Sequence, residues 1–467
     1  MKNSHPDLQN FIATLESENE LSRIVAVVDP VLEIAAITDL VCKSPHGGRA
    51  LLFENPTGSD FRVATNLFGS VRRVCLALGI DHPDRLTERM SALLEQIPDI
   101  SLERLDQQIS ALPAFSCFTP AAATVSDSDL ARMKTPDLTL FPFLESWPED
   151  GTASGHGRYI TLPQVFTTDP DGKSGNCGLY RIQVRSLQEL AIQWKSGSGA
   201  ARHFEMYKRR VEPMPVAISL GGDPAMLFSA MFPLPGELDE ATFAGFLRGS
   251  SLQVSPCLSV PLSIPTDAEI VIEGYIDPKE SVMEGPFGNH TGSYSPSAPA
   301  PLLRVTAIRH RSNPIVPATV VGPPPMEDCF MAKTWERLLL AFIRRLVPRI
   351  KDIHFPFEWI FHQSAIISLE NPVPGMVSDI SGQLWALHWF AASRILIFVD
   401  AEPAQSELSD AAWRCINRSS YPGDIFTDKT SHRIAVDATG CRSTGRTVKM
   451  PDEVTRIVDQ RWHEYGL

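Results

Sequence analysis

Residues 268–276 read Ala-Glu-Ile-Val-Ile-Glu-Gly-Tyr-Ile, a run whose branched and aromatic side chains favour an extended, pleated strand. The same texture repeats outward from it. TLPQVF (161–166), GLYRIQV (178–184), PVAISLGG (215–222), LQVSPCLSVPLSIP (252–265) and LLRVTAIRH (302–310) are short β-type runs broken by Pro and Gly. Many short strands without long helices predict a closed or strongly curved sheet over residues 116–311. Two helical patches, Pro224–Met231 and Glu240–Arg248, interrupt it, and no sequence period marks a repeat protein.

The flanks read differently. Over residues 1–115, Leu8, Phe11, Ile12 and Leu15 recur at helical spacing, Ile24–Val28 is β-branched and Leu51–Phe53 is a short apolar run. Two more helical patterns follow, one from the Gly69-Ser70 cap signal through Val71, Val74 and Leu78, the other through Leu86, Met90, Leu93 and Leu94. This is an α+β unit. Over residues 312–467, helix Lys333–Leu346, strand Ser364–Leu369, helix Gly382–Ser393 and strand Ile395–Val399 alternate, which predicts α/β layers on a buried sheet. Pro451 opens a C-terminal amphipathic helix carrying Val454, Ile457, Val458 and Trp462, suited to docking on its own domain or on a neighbouring copy.

At 467 residues the chain is expected to hold two or three cores. Its 42 Lys and Arg against 55 Asp and Glu give a net charge of −13, with no basic run, so nucleic acid is not an expected partner. The longest strongly apolar stretch, Leu384–Ser393, is too short for a membrane span and contains His388. The N-terminus carries acids and amides where a secretory signal needs an apolar core, so a cytoplasmic protein is expected. Eight scattered cysteines without a C-x-x-C pair point to reduced thiols rather than to a zinc ribbon or a disulfide framework.

Four polar clusters stand among these runs. Gly175-Asn176-Cys177-Gly178-Leu179-Tyr180-Arg181 reads as a strand in which Arg181 offers a planar bidentate donor to a carboxylate. In Glu284-Gly-Pro-Phe-Gly-Asn-His-Thr-Gly292, a turn presents Glu284, Asn289 and His290 together, as an acid/base site requires. Glu240 lies near a helix start, where carboxylates also serve as caps. His432 and Arg433 precede the strand of AVDATG, as a phosphate clamp or a surface basic pair. His354, His362 and His388 sit among aromatic or apolar residues, as core histidines do. H-E-x-x-H, G-x-x-x-x-G-K and G-x-S-x-G are all absent.

In this order and spacing, the four clusters resemble the UbiD family of decarboxylases, which use prenylated FMN. The likeness runs through His46–Asn55, Ser146–Asp150, Leu220–Pro224 and Glu269–Ile276 to the C-terminal AVDATG. It implies an α+β multidomain fold: an N-terminal α+β domain, a central split β-barrel that binds the flavin, and a C-terminal α/β domain with a terminal oligomerisation helix, assembled as a homodimer or homohexamer. It further implies that Asn176 and Glu240 ligate Mn2+ (or Mg2+), often accompanied by K+. The cation would bridge to the flavin phosphate, since a phosphate beside a carboxylate needs positive charge between them. Leu179, Tyr180, Arg181 and Trp194 would line the cofactor and Arg433 would grip its phosphate. A flavin prenyltransferase would supply the cofactor.

The implied activity is reversible, non-oxidative decarboxylation of an aromatic, heteroaromatic or α,β-unsaturated acid, with CO2 as the small partner. Losing CO2 from an sp2 carbon demands an electron sink, which the cofactor provides while the protein positions and protonates. Arg181 and Glu284 match two members of the family's Glu-Arg-Glu/Asp trio. The third falls at Asn289, whose amide cannot deliver a proton, so Glu284, His290 or a water is left as the acid and Asn289 as a contact that selects substrate. The segment after Trp194, Lys-Ser-Gly-Ser-Gly, also lacks the histidine that some members place near the metal; His203 lies six residues past Gly197. Two other readings are a flavin-binding member without turnover and an FMN oxidoreductase on the same barrel, the latter without a dinucleotide fingerprint.

Overall fold

The structure is a computed structural model that describes residues 5–125, 129–234, 238–359, 363–400, 408–428, 432–441, 448 and 450–466; His362 lies outside them. Its centre is a nine-stranded sheet built on the stretch quoted first. That stretch opens a 15-residue strand, Ile270–Glu284, which pairs antiparallel with Ala298–His310 on one side and Met214–Leu220 on the other. From these the sheet continues to Glu189–Ile192, Ile182–Val184 and Tyr159–Ile160 in one direction, and to Pro163–Thr168 and Gly175–Gly178 in the other, every step antiparallel. The two edges do not pair, so the sheet is a curled half-barrel. Register shifts between Glu273 and Gly274 and between Ile276 and Ser281 bend the long strand, as bulges do in curved sheets.

The mixed fold carries two more sheets of size. Near the N-terminus, Leu21–Val28, Ala50–Pro56, Arg62–Thr65 and Ile315–Pro317 lie side by side, with helices Leu8–Ser17, Glu33–Cys42, Val71–Leu78 and Asp84–Leu94 around them. The last strand arrives from beyond the barrel, pairing Ile315 with Arg62. In the C-terminal part, Ile350–His354, Ser364–Leu369, Ile395–Asp400, Arg433–Asp437 and Ile425–Asp428 form a mixed sheet. Helix Glu327–Leu346 packs on Asp84–Leu94 and ties this part to the first. Leu8, Phe11, Phe68, Phe228, Phe243, Phe342 and Phe390 share one hydrophobic cluster across all three regions.

Several expected elements stand where periodicity placed them: Val71–Leu78 capped by Ser70, Pro224–Met231, Glu240–Arg248 and Ser364–Leu369. Two differ. The helix expected over Gly382–Ser393 runs instead from Met376 to Ala386, because the apolar stretch after it turns into a short 3-10 segment. Inside the barrel region a 12-residue helix, Gly199–Arg210, escaped the reading. It follows a Ser-Gly-Ser-Gly linker and buries only Ala200, His203 and Tyr207, so its helical stripe is narrow. Among the described residues no disulfide joins Cys42, Cys75, Cys117, Cys177, Cys257, Cys329 or Cys415, and no helix is long and apolar enough to cross a membrane.

Candidate functional site

Glu284 ends the long central strand, fully buried. A carboxylate taken out of water needs a partner with matched geometry. Arg181 supplies it from across 103 residues, donating from Nε to Oε1 at 2.9 Å and from Nη2 to Oε2 at 2.8 Å. This is the bidentate fork that carboxylate recognition favours. The guanidinium also lies over the Phe287 ring, 4.9 Å from its centroid, a cation–π contact that fixes its plane. Arg181 does not sit in a strand as expected; Leu179–Arg181 connects Gly175–Gly178 to Ile182–Val184. Leu179 and Tyr180 still face apart, into two different hydrophobic clusters.

Behind this pair is a buried polar layer. Tyr159 packs on Phe287 with the rings tilted by 56° and centroids 4.8 Å apart, and its hydroxyl accepts a hydrogen bond from Gln183 Nε2 at 3.1 Å. Its hydroxyl faces Glu284; burial first, then the Glu284 charge, raises the phenol's pKa, so it stays protonated. Asp150 joins two loops here by accepting from the Gly288 N–H at 2.8 Å and the Trp147 N–H at 3.0 Å. The Trp147 indole donates to the Val321 carbonyl and lies so close over Gly288 that a Cβ there would come within 2.3 Å of it. Tyr159, Asp150 and Trp147 were not singled out as site residues. SWPED carried the only signal, an acid three residues after a tryptophan.

The turn 284–292 carries Glu284, Asn289 and His290, but their side chains do different things. Asn289 spends its side chain on its own loop: Nδ2 donates to Ser295 Oγ at 2.8 Å, while Oδ1 accepts from the Thr291 N–H at 2.9 Å and its hydroxyl at 2.7 Å. That is an Asx turn closing the loop. His290 is partly buried, and desolvation, with Lys195 nearby, lowers its pKa and keeps the imidazole neutral.

In the strand before this connector, Asn176 pairs in register with Thr167 on the edge of the sheet. Its Nδ2 is buried without a partner of normal geometry, although the Tyr180 hydroxyl lies near. The start of helix Gly199–Arg210 presses on it: a Cβ at Gly199 would fall 1.8 Å from Asn176 Oδ1. Glu240 approaches from the helix it begins. Capping there is done by Asp239, which accepts from the Thr242 N–H at 2.8 Å, so Glu240 is free to reach out and accept from the Cys177 N–H at 3.0 Å. Desolvation pushes its carboxyl up to about 8. Trp194 meets Tyr180 edge-on at 5.1 Å, and its indole N–H and the Gln193 Oε1 are buried without partners. A cavity of about 610 Å3 is lined by Gln193, Trp194, Gly197, Arg202 and Phe204 among others.

Two residues remain. His203 hydrogen-bonds Thr167 Oγ1 at 2.9 Å, and among the described residues no group of three or more His, Cys, Asp and Glu is placed to hold a metal. Arg433 is not brought to this cradle: its Nη2 donates to the Ala391 carbonyl at 2.8 Å and its Nη1 to the Trp385 carbonyl at 3.4 Å, within the C-terminal part.

Comparison with known proteins agrees with this arrangement along the chain. Residues 12–93, 120–324 and 329–450 match the N-terminal, Rift-related and C-terminal domains of 3-octaprenyl-4-hydroxybenzoate carboxy-lyase, UbiD. An uncharacterized protein of Archaeoglobus fulgidus is 35% identical over 99% of this chain and 98% of its own length, and one of Aquifex aeolicus is 34% identical over 99% of each. Among solved structures, an evolved dimeric form of the UbiD-class enzyme HmfF from Pelotomaculum thermopropionicum, in complex with prFMN, superposes with a TM-score of 0.81 at 25% identity over 97% of this chain and 98% of that one. The closed form of Sedimentibacter hydroxybenzoicus vanillic acid decarboxylase gives 0.83 at 23% identity, covering 98% of each chain. With all three domain models matched in chain order over residues 12–93, 120–324 and 329–450, this chain belongs to the UbiD family.

Proposed function

We propose that the protein is a prenylated-FMN-dependent decarboxylase of an aromatic, heteroaromatic or α,β-unsaturated carboxylic acid. The observation that carries this reading is the buried bidentate pair of Arg181 and Glu284 on the barrel of a carboxy-lyase family. The residues at the other end fit the cofactor. A buried amide N–H without a partner beside Asn176 Oδ1, and a carboxyl held above its ordinary range at Glu240, are what a phosphate and a divalent cation would satisfy. Asn176 and Glu240 would hold Mn2+ or Mg2+, with K+ as a companion ion, while Tyr180 and Trp194 line the flavin. Bound there, prenylated FMN supplies the electron sink that decarboxylation at an sp2 carbon requires.

The chain's own groups do the rest. Arg181 keeps Nη1 outside its pair with Glu284, as a donor for the substrate carboxylate. Glu284, fixed at the strand end as the carboxylate that Arg181 grips, is the group that would relay the proton that replaces CO2. The neutral His290 stands in the same turn as a second proton carrier. Leu179, on the connector, borders the flavin from the opposite cluster. The exposed Val454 and Ile457 of the C-terminal helix Asp452–Gln460, with Trp462 in the short 3-10 segment that follows it, are the surface on which a homodimer or homohexamer would form. Co-production with a flavin prenyltransferase, followed by CO2 measurement across a panel of aromatic, heteroaromatic and acrylic acids, tests the reading. Release from at least one acid, lost in Glu284→Gln, is expected. A flavin-loaded protein that releases none is instead a binding member of the family.

A further inference from the structure

The turn that carries Glu284, Asn289 and His290 is anchored from outside itself at few points. The main chain of Pro286–Gly288 meets the loop 147–151 twice: the Gly151 N–H donates to the Pro286 carbonyl at 2.8 Å and the Gly288 N–H to one Asp150 oxygen, while the other Asp150 oxygen takes the Trp147 N–H of its own loop. Asp150 is 2% exposed, so no water replaces it. Only an ionised carboxylate accepts at both oxygens without presenting a proton of its own to an N–H. We propose that Asp150 is a positioning residue, a carboxylate staple that holds the turn 284–292 in register with Arg181 when ionised and loosens it when protonated. This rests on the reading of Glu284 as the reacting acid.

The staple is set to work near neutral pH. Desolvation pushes the Asp150 carboxyl up to about 6, against the pull of the N–H groups it accepts from. The charged and titratable groups around it are Glu145 from the preceding strand bridge, which raises it further, and Tyr159 from the barrel edge, beyond which lie Glu284 and Arg181. The sign follows: above about 6 both oxygens accept and the turn is held, and below it one acceptor is lost.

Hydrogen–deuterium exchange of the whole protein tests the staple without turnover. After correction for intrinsic rates, amides of residues 285–292 are expected to exchange about tenfold faster in Asp150→Asn than in wild type, and wild-type protection of that segment alone is expected to fall from pH 7 to pH 5. The acidic limb of kcat/KM should move with it, and Asp150→Glu should restore part of both. Equal exchange in Asp150→Asn and wild type, or wild-type protection independent of pH, overturns the proposal. A staple that loosens in a protein releasing no CO2 overturns the decarboxylase reading and leaves the staple standing. Where Asp150→Asn fails to fold, the wild-type pH series decides alone.

Discussion

Asn176 and Arg181 lie five residues apart, one in the edge strand Gly175–Gly178 and one at the end of the connector that follows it, and the two ends of this stretch are finished in opposite ways. At Arg181 the protein completes its own chemistry: every charge of the pair with Glu284 is met, and an aromatic face fixes the plane. At Asn176 polar atoms are buried unmet and a nearby carboxyl is held neutral by desolvation. A self-satisfied buried pair is preorganised and costs nothing to assemble at the moment of reaction; an unsatisfied buried cradle is unstable by itself and is completed by what binds it. On the proposed function, the contrast would separate where the reaction is run from where the cofactor is held.

Breaking the complete end should have the largest effect. Glu284→Gln keeps the shape and removes charge and proton, and turnover should fall about 100-fold or more with cofactor content unchanged; a change of only a few-fold would assign Glu284 to structure. At the incomplete end, Glu240→Ala should lower bound metal and flavin about tenfold, the range seen for loss of a metal-site group, with circular dichroism unchanged. Gly199→Ala sharpens the same point without touching a donor, since its Cβ would displace the Asn176 amide; a several-fold weaker flavin affinity, about 1 kcal/mol, is expected in a titration. Asn289→Asp keeps the acceptor that Thr291 uses, and Ser295 can turn its hydroxyl to donate, so rates on different acids should shift by no more than a few-fold. Arg433→Ala should leave cofactor content alone and cost about 1 kcal/mol of stability for two lost carbonyl contacts; lost flavin would show that Arg433 reaches the phosphate.

How much of this was legible in the sequence follows the same divide. Strands and most helices could be read because branched and apolar residues recur at fixed periods, and Glu284 and Arg181 stood out as charges inside apolar, glycine-rich runs. Their contact across 103 residues could not be read from spacing; the family resemblance supplied it. Asn289 looked like a substrate contact because a side chain's direction in a turn depends on φ and ψ rather than on order, and here it closes its own loop. Arg433 begins a strand whose neighbours in space, Trp385 and Ala391, are remote in sequence. Tyr159 and Asp150 gave little signal, since a buried phenol and a carboxylate on main-chain N–H groups resemble ordinary core and turn residues until the fold brings the first beside Glu284 and the second onto Gly288 of the same turn.

The central claim is that the cradle at Asn176 and Glu240 is completed by prenylated FMN and a divalent cation. Native mass spectrometry of the protein co-produced with a flavin prenyltransferase reads this directly. The account predicts a chain carrying the mass of prenylated FMN together with one divalent metal ion; a chain that stays bare, or that holds unmodified FMN alone, would contradict it.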